Sequence, residues 1–141
     1  MKLITKYHGT IQYGEDEVIY FKKGLPGFPG LTKFILFSVK ENELFNILHS
    51  IEDDSVGLVV ISPFCICKDY EVELKENILD ELSIADEKDV LIVNTVSLNS
   101  DVKKITSNFK APIIINIKSK LGEQIILSDE KYEIKYPIFK E

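Results

Sequence analysis

Few residues in this chain could carry chemistry. His49-Ser50 sets a base beside a nucleophile, Cys65 and Cys67 offer two thiols, and Glu52-Asp53-Asp54 offers carboxylates for a divalent cation. None of the three completes a catalytic arrangement. Adjacent residues of a strand project to opposite faces, so the His49 ring and the Ser50 hydroxyl cannot form a dyad with each other. No nucleophile motif surrounds either cysteine. Their spacing puts both thiols on one face of an extended strand, which is too close for an unstrained disulfide. A thiolate metal site needs two more ligands, and His8, His49 and the scattered carboxylates lack the spacing. The cysteines are expected as small buried hydrophobes, and the carboxylate triplet as a solvated turn. No enzymatic activity, metal or cofactor is expected.

Gly24-Leu25-Pro26-Gly27-Phe28-Pro29-Gly30 sets two Pro-Gly pairs around an aromatic ring. Proline presets φ at the second position of a turn and glycine supplies positive φ at the third, so two successive type II turns are predicted. Leu25 and Phe28 then either plug one end of the fold or are displayed to a partner. A phosphate-cradling loop is excluded, because no Gly-Lys-Ser/Thr follows and no helical pattern opens there.

Charge narrows the partners. The net charge is −6, and all 17 basic residues are lysine. Without the planar fork of arginine, an acidic chain is poorly equipped to grip phosphate or guanine, so DNA and RNA are not expected as ligands. Residues 71–89 hold eight carboxylates, Glu71, Glu73, Glu76, Asp80, Glu81, Asp86, Glu87 and Asp89, against Lys75 and Lys88. The remaining 15 acidic and 15 basic residues cancel, so this one segment carries the whole imbalance.

The elements that must position these groups read mostly at period two, in short runs rich in Ile, Val, Tyr and Phe. Strands are predicted over 3–12, 17–22, 33–39, 44–51, 57–62, 70–74, 89–98, 104–107, 112–118, 123–128 and 132–138, with a hairpin at Lys120-Leu121-Gly122. Only Lys75 to Ile84 has helical spacing, with Ile78, Leu79 and Leu82 on one stripe. Many short strands and one short helix predict a mainly β, single-domain antiparallel β-barrel-like fold over residues 1–141. A hydrophobic fraction of 45% suffices for one core. No apolar run approaches the roughly 20 residues of a membrane span, and the first seven residues lack a signal core. A soluble, cytoplasmic protein is expected.

The ordered motifs resemble the family of the flagellar assembly factor FliW nearly end to end. They are Tyr7-His8-Gly9-Thr10-Ile11, Phe21, Gly24-Leu25-Pro26-Gly27-Phe28, Leu48-His49-Ser50 with Asp53, Pro63-Phe64 and Tyr70. Toward the C-terminus follow Asn108-Phe109-Lys110-Ala111-Pro112-Ile113-Ile114-Ile115-Asn116, Gln124-Ile125-Ile126-Leu127 and Tyr132. The sequence departs from the family pattern at His49, where Gln is usual, and at Phe109, where Leu is usual.

The resemblance implies a non-catalytic protein that exchanges between two partners. One is cytoplasmic flagellin. The other is the translational regulator CsrA, an RNA-binding dimer that represses translation of flagellin mRNA and is antagonised by capture. Its acidity and lack of arginine suit such an antagonist, since negative potential attracts a basic regulator and repels RNA. Residues 71–89 read equally well as a solvated face. Glu52, Asp53, Phe64, Tyr70, Glu71, Glu73, Glu76, Asp80 and Asn108 are the candidate partner-binding residues. Gly24, Leu25, Pro26, Gly27, Phe28, Ala111, Pro112 and Asn116 are the structural motif positions. The alternatives are a dedicated flagellin chaperone without a regulatory partner, or a small ligand-binding barrel with a lined cavity.

Overall fold

The structure, a computed structural model, describes residues 1–39 and 42–139. Eleven strands and one α-helix follow in order: β1 (Lys2–Ile4), β2 (Thr10–Gln12), β3 (Ile19–Tyr20), β4 (Lys33–Val39), β5 (Asn42–Ser50), β6 (Gly57–Ile61), α1 (Glu76–Glu81), β7 (Val90–Ser97), β8 (Thr106–Ser107), β9 (Ile113–Asn116), β10 (Leu121–Gln124) and β11 (Tyr136–Pro137). The main sheet runs β11-β8-β7-β6-β5-β4-β3-β10-β9, and β9 also pairs with β7. Seven strands from β7 round to β9 therefore close into a barrel-like ring, and β8 and β11 extend from β7 as a flap. The fold is mainly β, as the sequence predicts. It departs from pure antiparallel pairing at one place, where β3 and β10 run parallel through Tyr20 and Leu121.

The ring encloses the main core. Phe21, Phe34, Leu48, Val60, Val93, Ile113 and Ile115 point inward and are almost fully buried. Side chains alternate across a strand, so Ile114 faces outward from β9. It is covered there by Ile78 of α1 and by Leu82, which caps the helix. Gly122 sits on the inner side, where a Cβ would lie 2.6 Å from the Phe21 ring. This close approach excludes any larger residue without moving the ring.

The Pro-Gly segment forms the two turns that its composition predicts. Phe28 N–H donates to Leu25 O at 2.9 Å and Leu31 N–H to Phe28 O at 3.2 Å, with φ of 90° at both Gly27 and Gly30. Proline at the second position and glycine with positive φ at the third define type II. Leu25 is 3% exposed and Phe28 packs half-buried on the same core, so the loop plugs the ring.

Several sequence expectations differ from the structure. Residues 3–12 form the β1–β2 hairpin instead of one strand, because Gly9 turns the chain at φ 72° and its carbonyl accepts from Thr5. Residues 70–74 are extended but pair with no strand; Tyr70, Val72 and Leu74 face inward and Glu71 and Glu73 outward. Of 132–138, only Tyr136–Pro137 pairs. The last hairpin is confirmed, but its turn is 117–120, with Lys120 at φ 61°, and Leu121 and Gly122 lie inside β10. Cys65 and Cys67 stand on and beside a 3₁₀ turn, not a strand, and Cys65 is exposed.

Gly27→Val should destabilise the fold by about 1–2 kcal/mol, because a β-branched residue is strained at positive φ even where, as here, space is open. Urea denaturation checks this, and an unchanged midpoint would contradict the turn geometry.

Candidate partner-binding surface

The outer flank beside α1 is built by alternation and one anchoring amide. Val72 and Leu74 point toward the sheet while Glu71 and Glu73 point to solvent. At the other side of the helix, Asn116 at the end of β9 is 2% exposed. Its Nδ2 donates to Leu82 O at 2.8 Å and Ser83 O at 3.0 Å, and its Oδ1 accepts from Lys118 N and Ser119 N. Both halves of the side chain are thereby satisfied, which fixes the C-terminal end of α1 to the β9–β10 turn. Asp89, buried at the start of β7, pairs with Lys118 at 3.6 Å.

Between the 72–74 segment, α1, residues 84–88 and the outer face of β7 lies a groove of about 720 Å³. Val72, Leu74, Leu79, Ile84, Val90 and Ile92 give it an apolar lining, and Phe64, 44% exposed, stands at its mouth. Asp86, Glu87 and Lys88 form one rim. Glu71 and Glu73 point the other way, into a hollow shared with Lys75 and residues 125–129, and Glu76 and Asp80 are exposed on α1. Among the described residues, Glu71, Glu73, Glu76, Asp80 and Glu87 make no salt bridge. Glu81 is different: Lys23 bridges it to Glu123 at 3.2 and 3.4 Å. Hydrogen bonds with Glu123 and Lys23 hold Glu81 below the usual carboxylate range, whereas burial pushes Glu123 up.

The structure gathers some of the candidate residues and separates others. Phe64 stands at the groove, Glu71 and Glu73 lie on the opposite side of the 72–74 wall, and Glu76 and Asp80 are exposed on the helix between them. Tyr70 is turned inward: it is 3% exposed, donates to Phe109 O at 2.6 Å, and packs among Phe109 and Tyr132. Burial pushes its phenol up to about 12. Glu52 and Asp53 are tied into their own turns. Glu52 accepts from Thr32 N and Lys33 N, and Asp53 from Ser55 N and Oγ, and these bonds lower both carboxyls. Asn108 Oδ1 accepts from Lys110 N and Ala111 N, holding the bend before Pro112. His49 and Ser50 diverge: the ring lies against Gly57 and its Nδ1 meets Ser50 O, while Ser50 Oγ accepts from Glu52 N and Asp53 N. The groove floor at Leu79, Ile84, Val90 and Ile92 was not anticipated. Its signal was the apolar residues threaded through the acidic segment, legible only once 70–74 is known to lie unpaired over β7.

These features define a mainly β scaffold with an open, carboxylate-rimmed apolar groove on its flank. The family model described as FliW protein matches residues 2–138. The chain is 58% identical over its full length to the flagellar assembly factor FliW of Clostridium botulinum strain 657, covering 99% of that protein. It is 57% identical to that of Clostridium tetani, covering 97%. A crystal structure of the flagellar assembly factor FliW superimposes with a TM-score of 0.93 at 35% identity, covering 100% of this chain and 99% of the other. The chain belongs to the FliW family.

Tyr70→Phe leaves the Phe109 carbonyl without its buried donor and should cost about 1–2 kcal/mol. The phenol's pKa is raised in the folded state, so its stabilising effect is complete below about pH 10 and is lost as pH rises toward 12. Stability measured between pH 10 and 12 should therefore fall more steeply for the native chain than for Tyr70→Phe. Equal slopes would show that Tyr70 titrates alike in both states.

Proposed function

We propose that this chain is a non-enzymatic, cytoplasmic, single-domain member of the FliW family that binds flagellin and, when free of it, captures the translational regulator CsrA and relieves repression of flagellin mRNA. Family membership supports the assembly role. The observation that supports the two-partner reading is that one segment, residues 71–80, turns apolar side chains into the groove and exposed carboxylates to solvent. An amphipathic flagellin segment would use the floor, lined by Val72, Leu79, Ile84 and Ile92. A basic regulator would be steered by Glu71, Glu73, Glu76 and Asp80. Because the same 71–80 segment supplies residues to both, the partners compete for it, and competition is what a switch requires.

Replacing Glu71, Glu73 and Glu76 with Gln and Asp80 with Asn should lower the association rate with CsrA about tenfold at low salt and flatten its salt dependence. Dissociation should change less, and flagellin binding should persist. Stopped-flow association at two ionic strengths decides the matter. An unchanged on-rate would return the segment to a solvated face.

A further inference from the structure

We propose that the free edge of residues 123–128 is a second interaction surface, which accepts an extended segment of a partner protein, basic on one face and apolar on the other, as an added β-strand. On one side, β10 and its continuation pair with the chain before and within β9. Ile125 N–H donates to Pro112 O at 3.0 Å and Leu127 N–H to Lys110 O at 2.7 Å, in line with the Glu123–Ile114 and Gln124–Ile113 register. In an antiparallel pair the intervening residues direct their N–H and C=O groups to the opposite edge. On that edge β3 pairs only at Leu121, after which its chain turns away through Gly24. Among the described residues, the N–H groups of Gln124, Ile126 and Ser128 make no hydrogen bond.

The gap is structural. A groove of about 660 Å³ separates Glu123–Ile126 from the Pro-Gly loop. Pro26 and Pro29 have no N–H, so the loop is poorly suited to zip onto the edge itself. The edge strand is weakly defended: Glu123-Gln124-Ile125-Ile126-Leu127-Ser128 has no proline and no lysine, its one charge, Glu123, is paired with Lys23, and Ile126 is 78% exposed.

The surroundings select the occupant. The face shared with residues 71–77 presents Glu71, Glu73 and Asp129 against Lys75. The face shared with the loop presents Ile126, Pro26 and Pro29, and the charges that also line it, Lys23 and Glu123, pair with each other. A second copy of this chain fits less well. Antiparallel self-pairing centred on Ile126 sets Glu123 opposite Asp129 at both ends, and like charges directly opposed destabilise a strand pair. This edge lies across the 71–77 segment from the groove over β7 and shares Glu71 and Glu73 with the carboxylates assigned to CsrA, but its backbone amides belong to neither, so a readout taken at those amides distinguishes the two readings.

The test uses the whole ¹⁵N-labelled chain with a peptide alternating Lys and Val, and a Glu–Val peptide of equal length as control. At millimolar Lys–Val peptide, exchange of the Gln124, Ile126 and Ser128 amides should slow about tenfold, with no slowing by the Glu–Val peptide. Ile126→Pro removes an N–H that makes no internal hydrogen bond, together with the exposed side chain, and should abolish the effect at Gln124 and Ser128. Should that variant fail to fold, Ile126→Lys keeps the N–H, adds positive charge to the edge, and should weaken binding of the Lys–Val peptide. The proposal is overturned if the Lys–Val peptide gives no slowing, or if both peptides slow exchange equally. Slowing without peptide that rises with protein concentration, alongside a sedimenting dimer, would assign the edge to a second copy and overturn it too.

Discussion

Closure of the sheet between β7 and β9 is the constraint on which the remaining architecture depends. Val90–Val93 pair with Ile113–Asn116, and this ladder converts a curled sheet into a ring with an inside and an outside. Once the ring is closed, Ile113 and Ile115 are committed to the interior core and Ile114 to the exterior. Exterior apolar residues must then find a second cover. The helix and the extended 70–74 segment provide it, and their incomplete fit over β7 leaves the groove. The candidate partner surface is thus a by-product of how the barrel-like ring is roofed, and its acidic rim follows from the roof's solvent-facing residues.

Polar side chains serve mainly as fasteners for this arrangement. Asn116, Asn108 and Glu52 each accept from two backbone N–H groups and Asp53 from the Ser55 N–H and hydroxyl, and each holds a bend that strand pairing alone would leave loose. Tyr70 and Tyr132 do the same at longer range: Tyr70 bonds Phe109 O, and the Tyr132 hydroxyl accepts from Glu71 N at 2.8 Å. Tyr132 therefore positions the first carboxylate of the acidic segment. A chain with this many short strands needs such ties, since each two- or three-residue ladder holds little by itself.

Much of the fold was legible from local chemistry. Pro26-Gly27 and Pro29-Gly30 specify their turns almost alone, and the alternation in 33–39, 57–62 and 89–98 marks strands within a residue or two. What the sequence hid were matters of partnership. Tyr70, Val72 and Leu74 alternate like a strand, yet whether an alternating segment finds a ladder depends on chain distant in sequence, and here it roofs the sheet instead. The candidate site was legible as charge but not as shape. Carboxylates at 71, 73, 76 and 80 announce an acidic face, whereas Tyr70, Glu52, Asp53 and Asn108 were attractive because polar or aromatic residues near turns often face partners; hydrogen bonds turn all four to internal use.

The parallel pairing of Tyr20 with Leu121 also bears on how this protein comes into being. It joins the beginning of the chain to a point near its end, so the ring cannot close until residue 121 is available. During synthesis, β3 to β6 can form a meander of hairpins early, since each pairs with its neighbour in sequence. Until the last two hairpin strands emerge, that meander lacks the strands that complete its core and exposes apolar surface. Native structure therefore arrives late and nearly at once, and truncation anywhere before β10 should leave an open sheet rather than a smaller version of the same fold.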